Sequence, residues 1–280
     1  MKRVVLVGLG LIGGSVGLAL RQRLPSLELV GIDRQQVLQS EPVRCLLDET
    51  IATDVIDSSY IRRLDADLIV LAVPVGVIAR NVRAWLECGV ALTDCGSTKR
   101  IIVAAAEVSP SRRWFVPGHP MAGRERGGFE SASCDLFRGR RWLVCPQGAS
   151  PSALSIVKEL VETVGALWTE MTPEAHDFAV AMTSHLPQIL ASWLAASTSE
   201  PQRIAAGPAL ADMTRIAGGS ELVWKDIFET NAEPLAAAAR RAAADLLAVA
   251  EELDRAEPVL DRTLQLLANA RHNVVGTRGI

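Results

Sequence analysis

The start of the chain carries three glycines at a spacing that few folds can use. An apolar run of strand length at 4–7 leads into Gly8, Gly10 and Gly13, and an apolar segment with helical character follows. In such a strand–turn–helix, the first glycine permits a sharp exit from the strand. The second leaves room for a pyrophosphate, and the third lets the helix lie close to the sheet. Because free N–H groups at a helix N-terminus favour anions, the pattern predicts a dinucleotide-binding site.

A second predicted strand, 27–32, ends at Asp33, twenty residues after Gly13. A carboxylate at this place hydrogen-bonds the ribose hydroxyls of NAD and repels the 2′-phosphate of NADP, whereas the adjoining Arg34 can accommodate that phosphate. The sequence therefore favours NAD and leaves NADP open. Four further residues are expected at the cofactor, two in the glycine turn and two after the next apolar strand: Leu11, Ile12, Val73 and Pro74.

Strand and helix patterns alternate over about the first hundred residues. Three consecutive segments repeat the opening unit: an apolar run at 67–73, a helix-period segment at 75–86 and a further strand at 90–94. Such alternation predicts an open, mostly parallel sheet with ligands at the carboxyl ends of its strands. Downstream of Thr172 the patterns are all helical. The predicted fold class is therefore α/β, with a Rossmann-type nucleotide-binding domain at 1–171 followed by an all-α domain at 172–280.

A late helix carries a narrow apolar seam. Its members alternate spacings of four and three: Leu235, Ala239, Ala242, Leu246, Val249 and Leu253. This spacing predicts a helix packed lengthwise against another, either inside one chain or between two subunits. Pro258 is expected to end this helix.

Composition excludes several classes of function. The net charge is −3 and the basic residues are scattered, so no nucleic-acid partner is expected. Apolar runs are broken before about 18 residues, which predicts no membrane span, and the N-terminus shows no signal-peptide pattern. The five cysteines form no CxxC pair, as is typical of reduced thiols in a cytoplasmic protein. No histidine pair has zinc spacing, so no metal centre is expected.

Three polar residues outside the glycine turn are candidates for chemistry. His119 lies in a turn bracketed by prolines and glycines, and a histidine that titrates near neutrality is the natural base for a hydroxyl proton. Ser97 follows the strand at 90–94, and sequence alone favours it as the N-cap of a helix beginning at Thr98 or Lys99. Arg215 lies in an apolar setting and needs an acidic partner from the protein or from a substrate.

The helix predicted to begin at Thr172 carries two further histidines. His185 and Gln188 are separated by three positions and share a face, and Pro187 is expected to disrupt the helix beside them. His176 is nine residues from His185, which at 100° per residue places the two rings about 180° apart. We therefore expect His176 to be structural or solvent-facing, and not to share a site with His185.

With these motifs assembled, the chain resembles the prephenate/arogenate dehydrogenase family. Five segments carry the resemblance: GLGLIGGS at 8–15, TDCGSTK at 93–99, GHPMAGRERGG at 118–128, AHDFAVAMTSHLPQ at 175–188 and DMTRIAGGSELVWKDIFETN at 212–231. The resemblance implies an NAD(P)+-dependent oxidative decarboxylation, in which hydride leaves a hydroxyl-bearing ring carbon, CO2 is lost and the ring becomes aromatic. The small-molecule substrate is prephenate, giving 4-hydroxyphenylpyruvate, or arogenate, giving tyrosine. The resemblance also implies a homodimer formed by the helical domain.

The resemblance assigns roles to individual residues. His119 matches the histidine that deprotonates the ring hydroxyl, and Ser97 matches a serine that supports that histidine and the substrate. Arg215 matches an arginine that pairs with a substrate carboxylate. Glu125 matches an acidic residue that helps to shape the pocket, and Trp224 an aromatic that can approach the site from the partner subunit.

Two positions depart from the family pattern. Gln188 stands where many prephenate-using relatives have a second histidine, and Ala211 stands where relatives often have a basic residue. Both changes remove positive charge from the expected pocket and shift the expectation modestly towards arogenate, whose side chain carries an ammonium group.

Two other functions stay open. A β-hydroxyacid-type dehydrogenase has the same two-domain plan, but it typically uses a lysine on an interdomain helix, and none of the four lysines lies at the start of the helical domain. A non-catalytic, dimeric NAD sensor would need no proton acceptor beside the nicotinamide, so His119, Ser97 and Arg215 count against it.

Overall fold

The protein is described by a computed structural model that covers residues 1–53, 58–61, 64–124, 126–257 and 259–277. Its chain divides into two compact units, Met1–Asn231 and Ala232–Ile280. Two residues singled out in the sequence, Glu125 and Pro258, lie outside the described residues.

The first unit is built around a six-stranded parallel sheet. Its strands are β1 (Arg3–Val7), β2 (Glu28–Asp33), β3 (Glu49–Ala52), β4 (Leu68–Leu71), β5 (Ala91–Asp94) and β6 (Phe115–Val116). The spatial order is β3-β2-β1-β4-β5-β6, and every neighbouring pair is parallel. This is the doubly wound order, in which the crevice for a dinucleotide opens where the strand order reverses, between β1 and β4. The predicted fold class is confirmed.

Helices cover both faces of this sheet. They are α1 (Leu11–Arg23), α2 (Gln35–Leu38), α3 (Glu41–Leu46), α4 (Ser58–Ile61), α5 (Val75–Leu86) and α6 (Arg100–Glu107). Successive side chains of β1 point to opposite faces, so Val4 and Leu6 join one buried apolar cluster while Val5 and Val7 join the other. Sequence analysis does not predict β3, because this short edge strand buries only Ile51 and shows no apolar run.

A second, three-stranded sheet follows the first. It consists of β7 (Gly118–Pro120), β8 (Arg141–Val144) and β9 (Leu167–Glu170), with β7 antiparallel to β8 and β8 parallel to β9. The helix α7 (Pro151–Thr163) connects the last two strands, and the Ser150 hydroxyl caps it by accepting from the Ala153 N–H. His119 therefore lies in the first strand after the chain has left the parallel sheet, and not in the turn that the sequence predicts, because it pairs with Leu143 of β8.

The rest of the first unit is helical. It contains α8 (Pro173–Val180), a π-helical turn (Ala181–His185), α9 (Leu186–Ser197), α10 (Glu200–Ile204), α11 (Pro208–Thr214) and α12 (Glu221–Thr230). Thr172 caps α8, since its hydroxyl accepts from the Ala175 N–H at 3.2 Å. The disruption predicted beside Pro187 takes the form of the π turn. Short 3-10 turns lie at Arg112–Trp114, Phe129–Ser131 and Arg215–Gly218.

The second unit consists of α13 (Ala232–Leu253) and α14 (Asp261–Thr277). The Glu252 carboxylate accepts hydrogen bonds from the backbone N–H groups of Arg262 and Thr263, and so caps the start of α14. The predicted helix ends at Leu253 rather than at Pro258. Within the described part of the chain, none of the helices combines the length and apolarity needed to cross a bilayer.

Candidate active site

The glycine turn has the geometry that its sequence predicts. Gly8 has φ 94°, and a Cβ there would lie 2.5 Å from the Ala72 carbonyl oxygen. A Cβ on Gly13 would lie 1.8 Å from the Gly8 carbonyl oxygen, so α1 approaches the strand end too closely for any side chain. Gly10 differs, because nothing lies within 4 Å of where its Cβ would be. The open side of the turn is therefore available to a ligand.

A cavity of about 390 Å³ lies at the carboxyl ends of the parallel strands. Five of the predicted cofactor residues line it: Gly10, Leu11, Ile12, Val73 and Pro74. Ser97 lines the same cavity together with Cys95 and Gly96, while residues of α12 and the loop after β7 form other parts of the wall. The described lining lacks four of the predicted cofactor residues: Gly8, Gly13, Asp33 and Arg34. Gly8 and Gly13 instead allow the close packing of the turn on the side away from the cavity.

Asp33 is held at the end of β2 by two backbone groups. Its Oδ2 accepts from the Leu9 N–H at 2.7 Å, and its Oδ1 accepts from the Arg34 N–H at 2.6 Å. The Asp33 side chain is 15% exposed, whereas that of Arg34 is 78% exposed, with its Nε 3.9 Å from Asp33 Oδ1. The carboxylate is therefore fixed beside the glycine turn, and the guanidinium extends into solvent.

His119 is the first member of a chain of three polar side chains. Its Nδ1 lies 2.9 Å from Nε2 of His176, and the Nδ1 of His176 lies 2.8 Å from Oδ1 of Asp177. His119 is partly exposed, while His176 and Asp177 are fully buried. Of the two predicted environments for His176, solvent-facing is wrong and structural agrees with its burial, but the sequence does not predict its contact with His119. The periodicity of apolar residues cannot show that the His-Asp face of α8 packs against the turn after β5.

The predicted opposition of His176 and His185 also fails. The angular argument assumes an unbroken α-helix, but the π turn at Ala181–His185 adds one residue to a turn and shifts the phase by roughly 100°. His185 is consequently buried near the other two rings. It lies close enough to lower the pKa of His119, and His176 in turn lowers the pKa of His185.

Asp177 also joins α8 to the nucleotide-binding part of the unit. Its Oδ1 accepts from the Lys99 N–H at 2.7 Å and its Oδ2 accepts from the Arg100 N–H at 2.9 Å, at the N-terminus of α6. Ser97 is therefore not the cap that the sequence predicts, because the helix begins at Arg100 and Asp177 fills that role. Among the described residues, no hydrogen bond joins Ser97 to His119.

A buried ion pair lies beneath His119. The Lys99 ammonium pairs with Asp94 at the end of β5 and donates to the Gly118 carbonyl at 2.7 Å, and both charged side chains are fully buried. The other oxygen of Asp94 accepts from the Gly118 N–H at 3.1 Å. The residue preceding His119 is thus held at both its N–H and its carbonyl. Sequence analysis missed this role of Lys99, although a lysine in a polar run directly after a buried strand was the available signal.

Burial keeps the histidines neutral. It lowers the pKa of His119 well below 6.5, and nearby His176, Lys99 and His185 lower it further. Burial also lowers the pKa of His176, although the hydrogen bond to Asp177 acts in the opposite direction. Burial raises the pKa of Asp177, but the hydrogen bonds from His176 and from the N–H groups of Arg100 and Lys99 bring it below its usual value. At neutral pH the three hydrogen-bonded side chains are therefore two neutral imidazoles and one carboxylate.

His185 lies behind an aromatic wall. Its Nδ1 is 3.1 Å from Nδ2 of Asn231, and the same amide donates to the Asp177 carbonyl at 2.9 Å. Its ring meets Trp224 edge-on at 6.1 Å between centroids. Burial lowers the pKa of His185 to about 4. Neither His185 nor His119 is in the described lining of the cavity at the glycine turn or of the second cavity described below, so the direct contact of each with substrate stays a prediction.

A second cavity of about 630 Å³ adjoins the first. Arg124, Gly219 and Trp224 line both, so the two share a wall. The larger cavity also contains Arg126, Arg215 and Gln188, the last of which donates to the Ser192 hydroxyl at 3.3 Å. Arg124 and Arg126 were missed as site residues, although both stand in the GHPMAGRERGG segment. Three guanidinium groups therefore line this cavity. They supply positive charge although Gln188 and Ala211 stand where relatives often have a histidine and a basic residue.

Comparison with known proteins identifies the family. The nucleotide-binding domain model of prephenate dehydrogenase matches residues 16–170, and the dimerization domain model matches 172–266. The first match alone covers more than half of the 280 residues. The chain belongs to the prephenate dehydrogenase family. The predicted family resemblance is confirmed.

Relatives of this prephenate dehydrogenase family member cover most of its length. Prephenate dehydrogenase of Bacillus subtilis (strain 168) is 34% identical over an alignment of 245 residues, which covers 83% of this chain and 65%, just under two thirds, of that protein. The crystal structure of prephenate dehydrogenase from A. aeolicus with hydroxyphenyl propionate and NAD+ matches with a TM-score of 0.81 at 26% identity, covering 98% of both chains. Synechocystis arogenate dehydrogenase matches with a TM-score of 0.73 at 26% identity, over 98% of this chain and 100% of that one.

Proposed function

We propose that this chain is an NAD+-dependent dehydrogenase that oxidatively decarboxylates a cyclohexadienyl acid, and that prephenate is its preferred substrate. The observation that carries the proposal is the shared wall of the two cavities. One contains the open glycine turn, and the other contains three arginines. A dinucleotide in the first cavity would therefore lie next to a polyanionic substrate in the second.

The residues of this chain divide the chemistry between them. NAD+ accepts the hydride when it is bound. His119 is neutral at neutral pH because burial lowers its pKa, and it takes the proton of the ring hydroxyl as the hydride leaves the same carbon. Loss of CO2 makes the ring aromatic and supplies the driving force, so the protein mainly has to orient the substrate and remove one proton.

Substrate choice follows from the charge of the larger cavity. Arg124, Arg126 and Arg215 line it, three guanidinium groups against the one carboxylate of Glu125, which the family resemblance assigns to the pocket and which lies outside the described residues. Prephenate carries two carboxylates, and guanidinium groups bind carboxylates in a bidentate manner. Arogenate adds an ammonium group, which such a lining disfavours. In this proposal Ser97 supports the reacting groups from the wall of the cofactor cavity, while Gln188 and Trp224 contact the substrate.

Cofactor choice follows from Asp33. Its carboxylate is anchored beside the glycine turn, where it can accept from ribose hydroxyls and repel a 2′-phosphate. The exposed Arg34 is available to a 2′-phosphate only if that repulsion is removed. NAD is therefore preferred to NADP.

The remaining proposals concern assembly and location. A homodimer through the helical domain, 172–280, is supported by exposed leucines of the second unit: Leu246, Leu247, Leu253, Leu264, Leu266 and Leu267. The boundary at 172 is supported by the two family models, which meet there. The cytoplasmic location is supported by cysteines that are all free in the structure.

Steady-state reduction of NAD+ and of NADP+ with prephenate and with arogenate, in all four combinations, tests the proposal. We expect prephenate with NAD+ to have the highest kcat/KM. A clear preference for arogenate would contradict the substrate assignment. Absence of turnover in all four, with retained NAD+ binding, would support a non-catalytic sensor, and turnover of β-hydroxyacids would support the other dehydrogenase class.

A further inference from the structure

The His119–His176–Asp177 chain fixes where protons reside. The two backbone N–H groups at the start of α6 stabilise Asp177 as a carboxylate, which has only acceptors to offer. The Nδ1 of His176, 2.8 Å from that carboxylate, must therefore carry hydrogen. In the neutral ring, the Nε2 of His176 is then an acceptor.

The same reasoning extends to His119. Its Nδ1 lies 2.9 Å from the acceptor Nε2 of His176 and so carries its hydrogen there. The Nε2 of His119 is left with a lone pair. In the opposite tautomer, two lone pairs would face each other across 2.9 Å, and the buried ring of His176 would lose its partner.

We propose that His176 and Asp177 are positioning residues, which hold His119 in the Nδ1–H tautomer so that its Nε2 can accept a proton from the substrate. This inference rests on the proposed function for the identity of that substrate. The pair acts through His119 and does not itself contact the reacting atoms. Both residues belong to α8, and Asp177 also caps α6. The contact between His119 and His176 therefore joins α8 to the catalytic histidine.

Nitrogen-15 NMR of the ring nitrogens tests the tautomer without any turnover. The protein contains four histidines, so single His→Gln variants assign the signals. We expect His119 to be protonated at Nδ1 in the full-length protein at neutral pH, and to become an Nε2–H or mixed species in His176→Ala. An Nε2–H signal in the unmodified protein, or a tautomer that His176→Ala leaves unchanged, would overturn the inference.

Kinetics supplies the second measurement. For His176→Ala we expect kcat to fall roughly ten- to hundredfold, as it does when a group that orients a metal-binding histidine is removed, with KM and NADH affinity changed less than about threefold. His176→Gln should recover much of the loss, because its Oε1 can accept from Nδ1 of His119. Val180→Ala, which truncates a buried side chain of the same helix, is the control for general destabilisation and should leave kcat unchanged.

These outcomes separate the inference from the proposed function. If the unmodified protein oxidises neither acid, the proposed function fails and the NMR result still decides the tautomer. If it turns over and His176→Ala has the same kcat as Val180→Ala, His176 is not a positioning residue and the proposed function stands.

Discussion

At the scale of single residues, environment decides what each polar side chain does. His119 and His185 are both histidines with a lowered pKa, but only His119 combines partial exposure with a polar partner on its Nδ1. The Nδ1 of His185 accepts from Asn231, and its ring packs against Trp224. The two residues are thus both neutral imidazoles, but they differ in the hydrogen-bond partner of Nδ1 and in exposure to solvent.

His119→Asn should lower kcat by roughly two to four orders of magnitude, the usual contribution of general-base catalysis, because asparagine cannot accept the proton. Affinity for NADH should change little, since His119 is not in the described lining of the cofactor cavity. Stopped-flow and fluorescence titration would measure the two quantities. A variant within threefold of the unmodified kcat would remove His119 from the mechanism.

The pH dependence of kcat/KM should follow the lowered pKa of His119. The base works only when neutral, and burial beside His176 and Lys99 places its pKa well below 6.5. Activity should therefore stay level as the pH falls to 6.5 and decline only at lower pH. A pH–rate profile measured at saturating NAD+ checks this, and an acid limb at or above 6.5 would contradict it.

Arg126→Ala should raise the KM for prephenate roughly 10- to 100-fold, as expected for the loss of a charge-assisted hydrogen bond. Arg126→Lys keeps the charge and should lose less. Arg138→Ala, in a neighbouring cavity, is the matched control. An unchanged KM for prephenate in Arg126→Ala would exclude this arginine from substrate recognition.

At the scale of elements, carboxylates from the helical segment cap helices of the nucleotide-binding part. Asp177 on α8 caps α6, and Asp226 on α12 accepts from the Gly76 N–H at the start of α5 at 3.1 and 3.2 Å. A carboxylate at a helix N-terminus satisfies free N–H groups and interacts favourably with the helix dipole. These two contacts connect segments about 75 to 150 residues apart in the chain.

Asp226→Ala should lower the free energy of unfolding by about 1 kcal/mol, the usual contribution of a helix cap. Glu229→Ala is the control on the same helix, because its exposed pair with Lys225 contributes little. Urea denaturation of both variants measures the difference. Equal stability of the two would show that the Asp226 contact does not hold α5.

The bounds of the helices and strands show how much of the fold could be predicted from the sequence. The bounds of α5 and the end of β2 agree with the apolar periodicity, because each element buries a regular face. The edge strand β3 and the start of α6 could not be predicted in this way. The first lacks an apolar run, and the second depends on a cap from Asp177, 77 residues later in the chain.

At the scale of the whole molecule, buried neutral histidines make stability depend on pH. The unfolded chain binds protons on His185 below pH 6.5, whereas burial holds the folded pKa at about 4. Between these values the unfolded state binds more protons, so stability falls as the pH falls. His185 alone should contribute about 2 kcal/mol of loss between pH 7 and pH 5. Urea denaturation should show a smaller loss in His185→Gln, and equal losses would contradict the assignment.

Dimerisation through α13 is a second property of the whole molecule. Leu246 and Leu253 belong to the predicted seam of α13, yet they are 58% and 55% exposed in the single chain. Leu246→Asp should weaken dimerisation at least tenfold, because burying a leucine is worth about 1.5–3 kcal/mol. Val108→Asp, which changes another exposed apolar residue, is the control. Sedimentation velocity would compare them, and equal dimer fractions would exclude the seam as the interface.

From the sequence alone we predict the glycine turn, the alternation of strands and helices over about the first hundred residues, the family, and His119 and Arg215 as candidates. Those features depend on local periodicity and on residue types at fixed spacing, which a linear pattern records. Three features are visible only in the folded protein: His176 and Asp177 lie behind His119, Lys99 is buried with Asp94, and Arg124 and Arg126 line the larger cavity. Each of these depends on a contact or a cavity wall formed by segments distant in the chain, and no local pattern encodes which polar groups will meet there.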